Sequence, residues 1–371
     1  MTKPKPDAIY RWHRLALQGA DSLAPRTTLA QALAALDPDE IPAFTQFLVW
    51  HKLGALWHQN LETADLLGSI NRESARILRT NRIETTALYL AQRQALAEID
   101  QLFEQNSIPY VAVKGTSIRE IVYPDAALRP ASDIDILVAS ERRLEAARVL
   151  IEAGYEFDPN PENIDWEATF SRGPISIDLH WNILRSGRTR HDTVPGLLER
   201  RKRRDFHWSL SVPDSMTMML VHPAFTKYVT SSNMSLISVV DMLLFLGSQR
   251  VDWDTVANRL EEMGLRTAAW TVSTWFRIIS PVGSLAKTDS VYARLQPGPA
   301  RRAYLGFWVK NDLASHWLNH PLPIQVGFTL ALHDQLSDAA TAIAGWLQTR
   351  SARHRDPLLR LGRDQNALDL A

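Results

Sequence analysis

Asp133 and Asp135 stand two residues apart at the head of the apolar run DIDILV, residues 133–138. Alternation along an extended chain puts both carboxylates on one face. Two adjacent carboxylates repel, so the pair is costly unless a cation lies between them. A hard divalent ion such as Mg²⁺ prefers oxygen ligands and combines one or two protein carboxylates with substrate phosphates.

A third ligand is expected nearby. Ile175 to Trp181 reads ISIDLHW, a second alternating strand in which the Asp178 side chain points opposite to Ile177 and Leu179. If this strand pairs beside the first, three carboxylates converge on one sheet edge, enough for two metal ions clamping a phosphoryl transfer. His180 shares the face of Asp178 and could hydrogen-bond a ligand carboxylate, although packing is the plainer role for it and for Trp181. Upstream, Val111 to Val113 reads as a buried strand that runs into Lys114-Gly115. Gly115 permits close backbone approach, and a helix beginning near Thr116 offers free N–H groups to an anion. Lys114 is either a mobile counter-charge or an exposed lysine at a strand end. Arg129, four residues before Asp133, has the fork geometry suited to phosphate.

The order Gly-Thr, helix, Asp-Ile-Asp-Ile, then Ile-Asp-Leu resembles the DNA polymerase β-like nucleotidyltransferase superfamily. Within it, KG…YPD…LRPASDIDILV followed by IDLHW is similar to the bacterial family labelled uncharacterised nucleotidyltransferase. The resemblance spans residues 109–181, and the helical flanks agree with it. It implies that Asp133, Asp135 and Asp178 bind the metal, with Asp178 also serving as a base toward the acceptor, and that Gly115 and Thr116 contact nucleotide phosphates. One departure is visible. Better-known members carry Gly-Gly or Gly-Ser and a shorter gap, whereas here an insert containing Arg119, Tyr123, Asp125 and Arg129 precedes the acidic strand. Lys114, Gly115, Thr116, Arg129 and Ser132 make up the expected nucleotide-binding set.

The elements that must position these residues follow from periodicity. Helices are predicted over Thr28–Ala35, Ile41–His58, Glu62–Leu67 and Ser74–Gln105, with Trp50, His51 and Trp57 read as core or lobe contacts rather than site residues. Beyond the acidic strand come a helix over Glu141–Ala153 closed by Gly154, strands over Tyr155–Asp158 and Glu167–Ser171, a turn over Pro159–Asn163, and a last strand over Phe206–Val212. Helices then run over Met216–Tyr228, Ser235–Ser248, Trp253–Met263, Ala268–Ile279, Ala300–Asn319 and Val326–Thr349. His222, Lys227 and Asp241 fall in this helical region, facing the site or simply packing. The tail beyond Arg350 is polar enough to fray or to mediate contacts. The predicted fold is α+β: a polymerase β-type nucleotidyltransferase mixed sheet flanked by N-terminal and C-terminal helical regions. The expected division is a helical lobe over 1–106, a catalytic α/β core over 107–212 and a helical region over 213–371.

Composition narrows the class. The 371 residues are 45% hydrophobic, enough for a large core, and 41 basic side chains balance 41 acidic ones. That balance argues against a nucleic-acid coat or a membrane-surface protein. The basic run Arg200 to Arg204 reads first as a solvated helix end and second as a phosphate site. With no cysteine, disulfides, Cys-ligated zinc and thiol catalysis are excluded. The N-terminus lacks the apolar core of a signal peptide, and the richest apolar stretch, Leu236–Leu246, is interrupted by Asp241. A cytoplasmic protein is expected, with no membrane partner, and with nucleic acid disfavoured as a partner but left open.

The expected activity is metal-dependent transfer of a nucleoside monophosphate from an NTP, ATP foremost, to a small-molecule, peptide or protein acceptor, releasing pyrophosphate. Two Mg²⁺ ions are the expected cofactors, with Mn²⁺ as the alternative. Two other readings compete: an AMP or UMP transferase acting on a hydroxyl side chain of a partner protein, and a nucleotide-binding module without turnover.

Overall fold

The computed structural model describes residues 10–20, 26–160, 163–230, 232–352, 355–359 and 361. Residues 161 and 162 of the expected turn at 159–163, and most of the polar tail, lie outside these residues.

Seven strands form one mixed sheet: β1 (Tyr110–Ala112), β2 (Ile134–Val138), β3 (Glu156–Asp158), β4 (Glu167–Arg172), β5 (Ile175–His180), β6 (Lys202–Arg203) and β7 (Trp208–Ser209), in the order β3-β4-β5-β2-β1-β7-β6. With helices before and after it, this is the predicted α+β architecture. The central pair β2/β5 is parallel, and β1/β2 and β4/β5 are antiparallel.

Strand alternation sorts the sheet into two cores. Ile134, Ile136 and Val138 of β2 and Ile175, Ile177 and Leu179 of β5 pack with Ala95, Leu96, Ile99 and Phe103 of the Arg72–Gln105 helix and with Leu150. Val111, Val113 and Leu137, on the other face, join a core built from the N-terminal and C-terminal helices, including Met216, Val221 and Phe245. Because Asp135 and Asp178 alternate with the first set, their side chains lie on the face that the terminal helices cover.

The Arg72–Gln105 helix starts at Asn71, whose side chain accepts the Ser74 N–H at 2.8 Å. It ends where Ser107 turns left-handed (φ +52°) and the Ile108 N–H reaches back to the Phe103 carbonyl. Gly154 closes the Arg143–Glu152 helix at φ +83° in the same way.

Several predicted elements are corrected. Ile41–His58 is two helices, Ile41–Trp50 and Gly54–Thr63, separated at Lys52, whose φ of +62° stops the first. Apolar periodicity carries no sign of a left-handed lysine. Glu62–Leu67 is not a separate helix: Glu62 and Thr63 end the Gly54–Thr63 helix, Asp65 is left-handed, and a single turn follows over Leu67–Ser69. The strand predicted over Phe206–Val212 shrinks to Trp208–Ser209, because Ser211 already caps the Val212–Thr226 helix. Ala300–Asn319 breaks at left-handed Asp312. Val326–Thr349 breaks at His333–Gln335, where the Asp334 carboxylate accepts the N–H groups of Arg266 and Thr267 and so caps the Arg266–Ile279 helix.

Candidate active site

The β2/β5 register pairs Asp135 with Asp178 directly, and Asp133 immediately precedes β2. Asp135 and Asp178 therefore stand side by side on the central strand pair, with Asp133 just ahead of β2. Asp135 is 4% exposed. Its Oδ1 receives Lys114 Nζ at 2.6 Å and lies 2.9 Å from His180 Nε2. Burial alone would raise its pKa, but Lys114 and His180 outweigh that and hold the carboxyl well below its usual range.

Asp133 and Asp178 shift the opposite way. Asp133 is raised by burial and then by repulsion from Asp135 and Asp178. Asp178 is raised by burial and then by Asp135, while Thr169 Oγ1, donating to Asp178 Oδ1 at 2.8 Å, opposes the shift. A cluster whose members raise one another's pKa favours a bound cation, and Lys114 already supplies one positive charge to it.

His180 sits between two carboxylates, Asp135 at Nε2 and Glu167 Oε2 at Nδ1 (3.3 Å). Lys114 Nζ also lies 3.2 Å from Nε2. With its proton on Nε2 the ring donates to Asp135 Oδ1; with the proton on Nδ1, toward Glu167, Nε2 would be free for a metal ion. Among the described residues, ligand atoms of Asp135, Asp178 and His180 all fall within 4.8 Å of one another. Asp133 is not in that group and instead lines the adjoining cavity. The donor set of carboxylate oxygens with one imidazole could hold a divalent metal ion.

The cavity measures about 390 Å³ and is lined by Lys52, Lys114, Asp133, Asp135, His222 and Lys227, among others. Two of its walls come from outside the sheet. Lys52 and Trp50 belong to the end of an N-terminal helix, and His222 and Lys227 to the Val212–Thr226 helix and its cap. Burial, then Lys114, keeps the His222 imidazole neutral.

The predicted nucleotide-binding set divides. Lys114 reaches Asp135, as described. It occupies left-handed backbone (φ +54°) at the start of the Lys114–Val122 helix, two residues before the predicted helix start. Thr116 is buried and donates to the Asp133 main-chain carbonyl at 2.9 Å, tying the turn to the acidic strand. Gly115 meets Arg129: a Cβ there would lie 1.8 Å from Nη1. Arg129 lines the cavity, yet its fork grips Asp241, with Nη2 to Oδ2 at 2.6 Å and Nε to Oδ1 at 3.2 Å, and Tyr123 donates to the same Oδ1 at 2.7 Å. Ser132 Oγ lies 3.4 Å from Lys52 Nζ.

The basic segments have internal partners. Arg200 pairs with Asp214, Arg203 with Asp100, and Arg190 with Asp338, while Arg185 lies over the Trp166 ring. The run 200–204 is thus an edge strand and its flanks, held by structural pairs away from the cavity. Trp57 and His51 are buried as expected, but Trp50 is 72% exposed at the cavity.

Sequence reasoning missed Glu167 and Lys52. Glu167 stands opposite His180 in the β4/β5 register, and an antiparallel partner with alternating polar residues was its only trace. Lys52 occupies the position where a helix-terminating glycine is the usual choice.

No helix among the described residues is long and apolar enough to cross a membrane. The model of a family described as uncharacterised nucleotidyltransferase matches residues 37–276, more than half of the chain. No curated protein matches it.

Proposed function

Because the chain belongs to the uncharacterised nucleotidyltransferase family, we propose that it moves a nucleoside monophosphate from an NTP, with ATP the first candidate, to an acceptor hydroxyl or phosphate, with pyrophosphate released and Mg²⁺ required. The observation that carries this reading is the Asp135–Asp178 pairing with Asp133 at the head of the same strand. Asp135, Asp178 and His180, with Asp133 beside them, are the residues that would hold the metal. Bound there, it would neutralise the phosphates and lower the barrier to attack at the α-phosphorus.

The chain's own groups account for the rest. The acceptor oxygen forms a bond to the α-phosphorus as the bond to the β-phosphate bridging oxygen breaks, and that electron pair leaves with pyrophosphate. The acceptor's proton goes to Asp178. Its Oδ1 is engaged by Thr169, so Oδ2 is the atom that would receive it. Glu167 orients His180, and Thr116 fixes the turn that carries Lys114 against the acidic strand. In this reading 107–212 is the catalytic core, and the regions 1–106 and 213–371 supply the other cavity walls.

The test uses NTPs labelled at the α-phosphate, with acceptors drawn from small molecules, peptides and proteins. Wild type should release pyrophosphate and label an acceptor only with Mg²⁺ or Mn²⁺ present. Asp135→Asn and Asp178→Asn should each lose about 10²–10⁴-fold in rate while keeping the wild-type circular dichroism spectrum. Transfer by Asp135→Asn within a few-fold of wild type would sink the assignment.

A further inference from the structure

Resting on the nucleotidyl-transfer reading above, we propose that Lys52 and Lys227 hold the β- and γ-phosphates of the donor, the part that departs as pyrophosphate, on the walls that the terminal helices add to the carboxylate-bearing sheet. Both lysines line the cavity that contains Asp133 and Asp135. Neither forms an ion pair among the described residues. Among the described residues, the hydrogen-bond partner of Lys52 Nζ is Ser132 Oγ, at 3.4 Å. Two cations beside one cavity, neither within ion-pair distance of a carboxylate among the described residues, are matched by an anionic ligand that spans them.

Backbone geometry is the independent observation. Lys52 (φ +62°) and Lys114 (φ +54°) are both left-handed, and Lys227 is followed by Tyr228 at +54° and Val229 at +48°. Left-handed backbone is unfavourable for any side chain bearing a Cβ, and most of all for a β-branched one. All three lysines of this cavity therefore sit at or next to backbone that glycine would adopt more easily. Such strain gathers at sites where a side chain's position matters more than local stability.

The Lys52 turn is also held firmly. The Leu53 N–H returns to the Leu48 carbonyl at 2.8 Å, closing the helix end. Ser235 Oγ and the Ile237 N–H, from the C-terminal region, both donate to the His51 carbonyl, at 2.6 and 3.3 Å. The turn thus links the two helical regions at the cavity. The Lys52 pKa is lowered, first by burial and then by Arg129, with Asp133 opposing the shift and Lys227 adding to it.

The test is calorimetric titration of the full chain with inorganic tripolyphosphate and with orthophosphate, for wild type, Lys52→Gly and Lys227→Met. Wild type should bind tripolyphosphate and bind orthophosphate far more weakly. Lys52→Gly should bind tripolyphosphate at least tenfold more weakly while melting at or above the wild-type temperature, because glycine accepts the left-handed turn. Lys227→Met should also bind more weakly. Wild-type affinity for tripolyphosphate in Lys52→Gly, or no binding by wild type, would overturn the assignment. Equal affinity for orthophosphate would overturn it in favour of a phosphate carried by the acceptor. The transfer reading fails separately: tripolyphosphate binding that depends on Lys52, in a protein that transfers no nucleotide, keeps the lysine site and removes the reaction.

Discussion

Replacing Asp241 with leucine tests whether Arg129 is a structural cation or a phosphate ligand. Asp241 lies on the Ile237–Ser248 helix, and its carboxylate takes two hydrogen bonds from Arg129 and one from Tyr123. The side chains of the ion pair are only 8% and 6% exposed. Burial works against the guanidinium charge, but Asp241 overcomes this and raises the Arg129 pKa. Asp241→Leu strands that charge, and breaking a buried pair from one side costs about 3–5 kcal/mol. Arg129→Met combined with Asp241→Leu removes both charges and leaves the Tyr123 hydroxyl unmatched, for roughly 1–3 kcal/mol. The double variant should therefore be more stable than Asp241→Leu alone, a sign reversal that additive contributions cannot produce. Urea unfolding followed by fluorescence measures the cycle, and calorimetry with an NTP analogue supplies the second readout. Nucleotide affinity in the double variant should stay within a few-fold of wild type. If Arg129→Met costs under about 1 kcal/mol but weakens nucleotide binding tenfold or more, the guanidinium serves phosphate and the structural reading is refuted.

Gly115→Ala should destabilise the fold through the same arginine, since its methyl group would stand 1.8 Å from Arg129 Nη1 and must push the guanidinium off Asp241. A loss of at least about 2 kcal/mol in urea unfolding is expected, and a variant as stable as wild type would contradict that packing. A pH effect on stability is expected away from the carboxylates. His207 and His333 are buried, with pKa values lowered from 6.5 to about 4, chiefly by burial. Between those pH values the unfolded chain binds more protons than the folded one, so stability is full above about pH 6.5 and falls as pH drops toward 4. Each contributes on the order of 3 kcal/mol to that loss. His207→Gln should flatten the profile of melting temperature against pH, and an unchanged slope would remove His207 as a source.

Sequence alone assigned Asp133, Asp135 and Asp178 a common face on their strands, by alternation with β-branched neighbours, whereas the β2/β5 pairing that sets Asp135 opposite Asp178 was decided by the tertiary structure. Sequence also determined the α+β class and the long helix ahead of β1, which rest on local periodicity and capping. Helix ends at Lys52, Asp65 and Asp312 were not legible, since left-handed backbone at a non-glycine residue is imposed by packing and tertiary hydrogen bonds. Asp334 ends its own segment by capping a helix far away in sequence, which no local pattern records. Arg129 shows the same limit at the site. Its spacing from Asp133 suits phosphate, but only the fold brings Asp241 from more than a hundred residues away to claim the guanidinium. Glu167 and Lys52 entered the site through a strand register and an inter-lobe contact. Side-chain direction is a local property of the chain, whereas the partner each charge meets is fixed by long-range packing.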